Sequence, residues 1–283
     1  MSNQVPAVFV AAFDRDVKKD YAQKRQLRNT VTLRTNVQGE SYRFQMSGQG
    51  LATRKIPQAE VVPMNIGYDK ITVILDPYNA PDYSDVYDLQ RINFDERQTL
   101  VSASADSILR LEDQLVINAL NATSNTPIGG TAPITTDTFR LAAEEMDKRN
   151  VPYGDNRTFI MYSRGKYQLL GDDDASTVDK NAIKILFKGQ IMEWLGFQIY
   201  IFGNMAEGGM PDSGTGTNKY AFAYDKKAVG LAIGINMRTS VDWIPDRTSW
   251  LINTLYMAAS TIIPQASSPT DQFGIVKIEH DLS

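Results

Sequence analysis

Three aspartates, Asp82, Asp85 and Asp88, are the clearest candidates for metal chemistry, because they recur at a spacing of three. This spacing predicts carboxylates on one side of a short helix. The glycine and the terminal glutamate of an EF-hand are absent, and carboxylates at a helix N-terminus more often stabilise the helix or face solvent. Three consecutive aspartates at 172–174 are interpreted as a solvated loop. We therefore predict neither a metal site nor a cofactor.

The other reactive side chains of the sequence give little indication of a catalytic site. The chain has no cysteine and a single histidine, His280, which excludes thiolate nucleophiles and nearly every mechanism that uses imidazole. It has no G-x-S-x-G, H-E-x-x-H or P-loop motif, and the glycine-rich stretch 207–218 does not match a phosphate cradle. A hydrolase that uses two distant carboxylates leaves no local signature and stays open as an alternative. The sequence otherwise predicts a protein that is not an enzyme.

Charge is unevenly distributed along the 283 residues, of which 42% are hydrophobic. The chain carries 29 basic and 33 acidic side chains, a net charge of -4, which argues against a protein whose main role is to bind nucleic acid. Residues 1–35 contain seven basic and three acidic side chains, so the rest of the chain has 22 basic against 30 acidic ones. The apolar run 254–263 is shorter than the roughly 20 residues that cross a bilayer, which predicts no membrane span.

The elements that must position these residues begin with a basic N-terminal segment. Phe13, Val17 and Tyr21 recur there at helical spacing among charged residues. This pattern predicts an amphipathic helix that docks through one apolar stripe. Two alternatives remain open, since the stripe can pack on its own domain or on a partner.

A long hairpin is predicted over residues 37–76. Tyr42, Phe44 and Met46 alternate with polar residues, and the alternation resumes between Ile71 and Leu75. Glycines and prolines interrupt the intervening polar stretch, which predicts an irregular, exposed tip. A two-stranded ribbon of this kind is marginal in water unless it lies on another surface.

A helix of about 30 residues is predicted next, over residues 93–122, followed by a mixed α/β segment. The predicted stripe of the long helix comprises Val101, Ala105, Ile108, Leu111, Leu115 and Ala119, with Glu112 outside it. Thr136 and Ser163 are predicted helix N-caps on either side of a strand at 158–162. Further strands are predicted near 197–202, 220–224, 251–263 and 274–279.

This order of elements resembles the major capsid (coat) proteins of tailed bacteriophages, of the short-tailed-phage type, whose coat fold is shared with encapsulins and the herpesvirus capsid floor. The residues that carry the resemblance are 27–31 with 36–39, 62–65, 76–89 with 93–97, 220–223 with 228–232, and 274–278. The first set is similar to the arm-to-hairpin junction of the family, the second to the returning hairpin strand, and the third to the hairpin exit and the start of the spine helix. The last two sets are similar to the late strands. Tyr83 departs from the tryptophan of many relatives.

The resemblance implies an α+β fold in four parts. These are an N-terminal arm (1–36), an extended loop (37–75), a peripheral domain (76–124 and 236–261) with a long spine helix, and an axial domain (125–235 and 262–283). It implies a structural protein that self-assembles through hexamers and pentamers into an icosahedral shell around phage double-stranded DNA. An encapsulin-like protein compartment is the nearest alternative.

The same resemblance implies partners and contact residues. The partners are copies of the chain itself, a separate scaffolding protein and a portal protein, and a decoration protein is allowed; the shell is assembled in the host cytoplasm and becomes part of the virion. Contacts across subunits are expected between a basic set (Arg43, Arg54 and Lys55) and an acidic set (Asp82, Asp85 and Asp88). The stripe of Phe13, Val17 and Tyr21 is expected to clamp a neighbouring subunit, because burial of large side chains contributes roughly 1.5–3 kcal/mol each with little salt dependence.

Overall fold

The computed structural model describes residues 25–58, 60–89, 96–130, 132–154, 156–171, 193–204, 207–213, 218–264 and 272–281. In this part of the chain the strands are β1 (Thr32–Arg34), β2 (Ser41–Ser47), β3 (Tyr68–Ile74), β4 (Asp76–Asp85), β5 (Arg157–Tyr162), β6 (Glu193–Trp194), β7 (Phe197–Phe202), β8 (Asn218–Asp225), β9 (Val229–Ile244), β10 (Ser249–Ile262) and β11 (Ile275–Asp281). The helices are α1 (Val86–Leu89), α2 (Glu96–Asn121), α3 (Thr136–Lys148) and α4 (Ser163–Leu170). The mixed α+β fold is as predicted.

The first sheet has the strand order β1-β9-β10-β4. β9 and β10 form an antiparallel hairpin, which turns at Pro245–Arg247. β1 pairs in parallel with residues 230–232 of β9, whereas β4 pairs with β10 along its whole length. β4 is thus an edge strand, a position in which Pro77 and Pro81 are tolerated although they lack N–H groups.

The position of β4 corrects the predicted helix of aspartates. Asp82 and Asp85 lie on this strand, opposite Ile252 and Ser249 of β10, and Asp88 follows in the four-residue helix α1. Side chains three residues apart on a strand point to opposite faces, so these aspartates do not form one carboxylate row. The local spacing suited a helix, but the ladder with β10 decides the conformation.

The second sheet has the order β11-β8-β5-β7-β6. Its core contains an aromatic cluster in which Phe139 of α3 stacks on Phe159 of β5 with ring centroids 4.2 Å apart, while Phe197 of β7 meets both rings edge-on. The predicted strand and its flanking helices are confirmed, but the caps differ by one residue. The N-caps are Thr135 and Tyr162, so the predicted caps are the first helical residues instead.

The long helix α2 lies between the two sheets, where a shared core contains Val116 and Leu120 of the helix, Phe222 of β8, and Leu231 of β9. The helix is confirmed, but its buried face is rotated by about one residue from the predicted stripe. Leu111 and Leu115 are only half-buried, and Glu112, predicted outside the stripe, is 1% exposed. Partners from outside the helix cause this rotation, as described below.

Candidate subunit interface

The hairpin of β2 and β3 is anchored on the first sheet by its inner face. The two strands pair antiparallel over seven residues each, and inner and outer residues alternate in burial as predicted. Phe44, Val73 and Leu75 are buried in a cluster with Ala232 of β9 and Ala259 of β10. The predicted hairpin is therefore confirmed, and the surface that supports its base belongs to the same subunit.

The tip of the hairpin, residues 48–67, has no comparable support. Its described residues form no strand, and a backbone hydrogen bond of 2.7 Å from the N–H of Gly48 to the carbonyl of Gly67 closes its base. Large apolar side chains of the tip are exposed to solvent, among them Leu51 (85%), Ile56 (67%), Val61 (68%) and Val62 (67%). Exposed apolar groups concentrated in this way are typical of protein–protein contact sites.

The predicted basic contact residues all lie at exposed positions of this hairpin. Arg43 is on the outer face of β2, and Arg54 and Lys55 are in the tip. Within the described part of the chain, none of these three cations is joined to a carboxylate. Their charges are thus available to a partner.

The predicted acidic contact residues lie at one end of the first sheet. Asp82 is exposed and its carboxylate accepts the N–H of Tyr83 at 2.8 Å, while Asp85 is half-buried and accepts the N–H of Tyr87 at 2.9 Å. The structure does not join these aspartates to the basic hairpin residues by an ion pair within the described subunit. The register of β4, β10 and β9 places Val241 in line with Asp82, on the same face of the sheet.

Apolar side chains share this end of the sheet with the aspartates. We define the β4 patch as Asp82, Tyr83, Asp85, Tyr87, Val241 and Trp243; its four apolar or aromatic members are 43–68% exposed. The guanidinium of Arg247 lies 4.7 Å from the ring centroid of Tyr83. Asp82 and Val241 lie on one face of this end of the sheet, and Tyr83 and Asp85 lie on the other. The patch therefore wraps around the edge of β4, where it combines negative charge with apolar surface and complements the basic and apolar hairpin tip.

The predicted clamp residues Phe13, Val17 and Tyr21 lie outside the described residues. The described part of the arm begins at Arg25 and is bound to α2 by Asp113, whose carboxylate accepts the backbone N–H groups of Gln26 at 2.8 Å and Leu27 at 3.0 Å. Burial raises the pKa of Asp113 to about 6, although these two hydrogen bonds favour its ionised form. Leu27 is fully buried against the shared core, so the base of the arm packs on its own subunit.

The adjacent Glu112 completes this junction. Its Oε2 atom lies 3.3 Å from Nη1 of Arg25 and 3.7 Å from Nη1 of Arg28, and it accepts a hydrogen bond of 2.8 Å from the hydroxyl of Tyr256. Burial and the neighbouring carboxylate of Glu112 raise the pKa of Tyr256, so the hydroxyl remains a donor. Sequence analysis missed this cluster; the available signal was a pair of acidic residues on the long helix and two arginines spaced three apart.

The remaining groups that the sequence singled out for chemistry are His280, the glycine-rich stretch and the acidic side chains. No three or more His, Cys, Asp or Glu side chains in these residues could together hold a metal ion. His280 is 1% exposed, and burial lowers its pKa to about 4; among the described residues neither ring nitrogen has a hydrogen-bond partner. The backbone N–H groups of Gly208 and Gly209 bind Oε1 of Gln114 on α2 rather than an open cradle. The aspartates at 172–174 lie outside the described residues.

No helix in the described ranges is both long and apolar enough to cross a membrane. The features that distinguish this chain are instead a supported hairpin base, an exposed apolar and basic tip, and an acidic and apolar patch elsewhere on the subunit. An exposed site with a complementary but different site on the same chain suits head-to-tail association between identical copies.

Comparisons with known proteins give one family match and several structural matches. The family model described as phage capsid protein matches residues 5–281. Among solved structures, the head structure of Helicobacter pylori bacteriophage KHP40 has a TM-score of 0.79 at 12% identity, covering 100% of this chain and 98% of that one. The capsid of cyanophage P-SCSP1u has a TM-score of 0.73 at 15% identity, covering 100% and 96%. The capsid of Ralstonia phage GP4 has a TM-score of 0.72 at 14% identity, covering 95% and 94%. No match was found among curated protein sequences.

Proposed function

The chain belongs to the phage capsid protein family, and from this membership we propose that its copies assemble through hexamers and pentamers into an icosahedral shell around double-stranded DNA. It is a shell-forming structural protein of a phage virion. The family match favours neither the encapsulin-like compartment nor a carboxylate hydrolase. Assembly in the host cytoplasm with a separate scaffolding protein, a portal protein and, where present, a decoration protein is part of this proposal.

The single observation that carries the proposal is the hairpin tip. It places in solvent large apolar side chains and two cations that have no ion-pair partner among the described residues, beyond a base that is well packed. In the proposal, the tip of one subunit lies on the β4 patch of its neighbour, where Arg54 and Lys55 face Asp82 and Asp85. The four-part division predicted from the sequence stays a prediction and is part of this proposal.

The ion pairs and the apolar contacts of the tip differ in how much free energy each contributes, and they therefore have different roles. An exposed ion pair contributes only about 0–1 kcal/mol, whereas a large apolar side chain that becomes fully buried contributes roughly 1.5–3 kcal/mol. The apolar residues of the tip therefore supply most of the affinity. The charges select the partner surface and its register, because a like-charged surface would be repelled.

Charge reversal tests this assignment. Arg54→Glu with Lys55→Glu should prevent shell formation, as judged by electron microscopy and sedimentation, while circular dichroism shows a folded subunit, because both side chains are exposed. Asp82→Lys with Asp85→Lys, added to the same chain, should restore shells, since the charges are then exchanged across the contact. Normal shells from the first variant would show that the loop charges do not matter. If the combined variant does not restore shells, the partners of Arg54 and Lys55 are not Asp82 and Asp85.

A further inference from the structure

A cleft lies between the base of the arm, the hairpin and the turn after β8. It consists of two cavities of about 930 and 580 Å³ that share Thr32, Arg34 and Lys227. The larger cavity extends along Ser41–Gln45 of β2, and the smaller one along residues 28–34 of the arm. We call this cleft the basic groove, because its charged lining residues are Arg28, Arg34, Arg43, Lys226 and Lys227.

The charge of the basic groove contrasts with that of the whole chain. Five cations line it without a carboxylate among the described lining residues, although the chain has a net charge of -4. Arg28 lies 3.7 Å from Glu112, but the other four cations have no ion-pair partner in the described residues. Like charges held together repel one another, so such a lining favours an anionic occupant.

Two edge strands, β1 and β2, contribute residues to the walls of the groove. β1 pairs with β9 alone, and β2 pairs with β3 alone, so each has one edge without a strand partner in the described structure. Consecutive residues of both strands line the groove, Thr32–Arg34 in one wall and Ser41–Gln45 in the other. Open edges present backbone N–H and C=O groups that pair readily with an added extended segment.

We propose that the basic groove binds an acidic, extended segment of a partner polypeptide that is not a shell subunit. Carboxylates of the segment would meet the groove cations, and its backbone would pair with the strand edges. Duplex DNA fits less well, because it presents phosphates from a convex surface and uses no strand edge. The acidic edge strand β4 of a second copy also fits less well, because Pro77 and Pro81 remove two of its N–H groups.

The proposal goes beyond shell formation and is tested on the purified, unassembled full chain, so it can fail while the assembly proposal stands. The probe is a fluorescein-labelled peptide of five Glu-Thr repeats, followed by fluorescence anisotropy. Arg34→Gln with Lys227→Gln should raise its Kd at least tenfold. Both side chains are exposed, so the fold is retained. The matched control, Arg140→Gln with Lys148→Gln, removes two exposed cations of α3 and should change the Kd less than twofold.

Two further probes separate the proposed mode from its rivals. A peptide of five Glu-Pro repeats has the same charge but half of the backbone donors, and should bind at least tenfold more weakly. If the Glu-Pro peptide binds as tightly as the Glu-Thr peptide, strand pairing is wrong. If the control variant raises the Kd as much as the groove variant does, the peptide is held only by non-specific electrostatic attraction, which would also overturn the proposal. Absence of binding, or tighter groove-dependent binding of duplex DNA or of a peptide copying residues 76–85, would also overturn the proposal.

Discussion

Gly230 of β9 lies directly under the hairpin, and adding one methyl group there tests how the hairpin is held. A Cβ atom at this position would lie 2.6, 2.8 and 2.9 Å from three atoms of the Phe44 ring. Phe44 is 5% exposed and packs with Val73 and Leu75, so the ring cannot move without disturbing the cluster. Overpacking of a buried site costs about 1–3 kcal/mol, and Gly230→Ala should lower the free energy of unfolding by this amount.

The assay is urea unfolding of the unassembled chain with a double-mutant cycle. Phe44→Leu removes the ring atoms that cause the clash, so the cost of Gly230→Ala should fall below about 0.5 kcal/mol in that background. Gly67→Ala is the matched control, because a Cβ atom there has nothing within 4 Å. It should be neutral or slightly stabilising, since alanine restricts the unfolded chain.

Equal costs of Gly230→Ala in the two Phe44 backgrounds would refute the reasoning, because the destabilisation would then have another cause. A second readout links the base of the hairpin to assembly. Displacing the ring changes the direction in which the tip leaves the sheet, so Gly230→Ala should also reduce the yield of shells, whereas Gly67→Ala should reduce it less.

Three other predictions concern the arm and two buried titratable groups. Val17→Asp or Tyr21→Asp should impair shell assembly before DNA enters, whereas Lys18→Gln with Lys19→Gln should leave empty shells normal, as seen by electron microscopy. Normal assembly of the apolar variants, with only packaged DNA lost in the lysine variant, would instead show that the arm contacts the genome. Burial raises the pKa of Asp113 from 3.8 to about 6, so its contribution to stability is present below pH 3.8 and lost as pH rises through 6. The free energy of unfolding should therefore fall by up to about 3 kcal/mol over this range, as measured by urea unfolding at a series of pH values. Asp113→Asn should remove this pH dependence. Because burial lowers the pKa of His280 from 6.5 to about 4, stability is lost as pH falls between these values; His280→Leu should abolish that loss, and an unchanged acid profile would contradict it.

Apolar periodicity was sufficient to predict the strands and helices whose conformation is decided by their own residues. The two-residue alternation around Phe44 predicted β2, and the apolar period of 101–120 predicted α2, because each pattern reports a face that must be buried. The prediction failed where a distant strand decides. Asp82 and Asp85 are on a strand because β10, more than 160 residues later, provides a ten-residue ladder that outweighs local helical preference.

The buried Glu112 and Asp113 show a second limit of sequence patterns. Periodicity assigns charged residues to the outer face of a helix, since an unpaired buried carboxylate is costly. Here the arm, 84 to 87 residues earlier in the chain, supplies two arginines and two backbone N–H groups, and β10 supplies a tyrosine hydroxyl. These partners are separate in the sequence, so the rotation of the buried face of α2 could not be derived from the helix alone.

The contrast between the two ends of the hairpin bears on how shells form without errors. The base is ordered by contacts within the subunit, so binding does not have to orient the hairpin. In the proposed assembly the tip gains its contacts from a neighbour, and ordering its side chains there costs about 0.5–1.5 kcal/mol for each long side chain. A single tip contact is therefore weak enough to dissociate when misplaced, whereas a closed ring holds each subunit by two such contacts at once and multiplies their effect. Stability of the shell then follows from closure, and correctly closed rings are selected over single pairs.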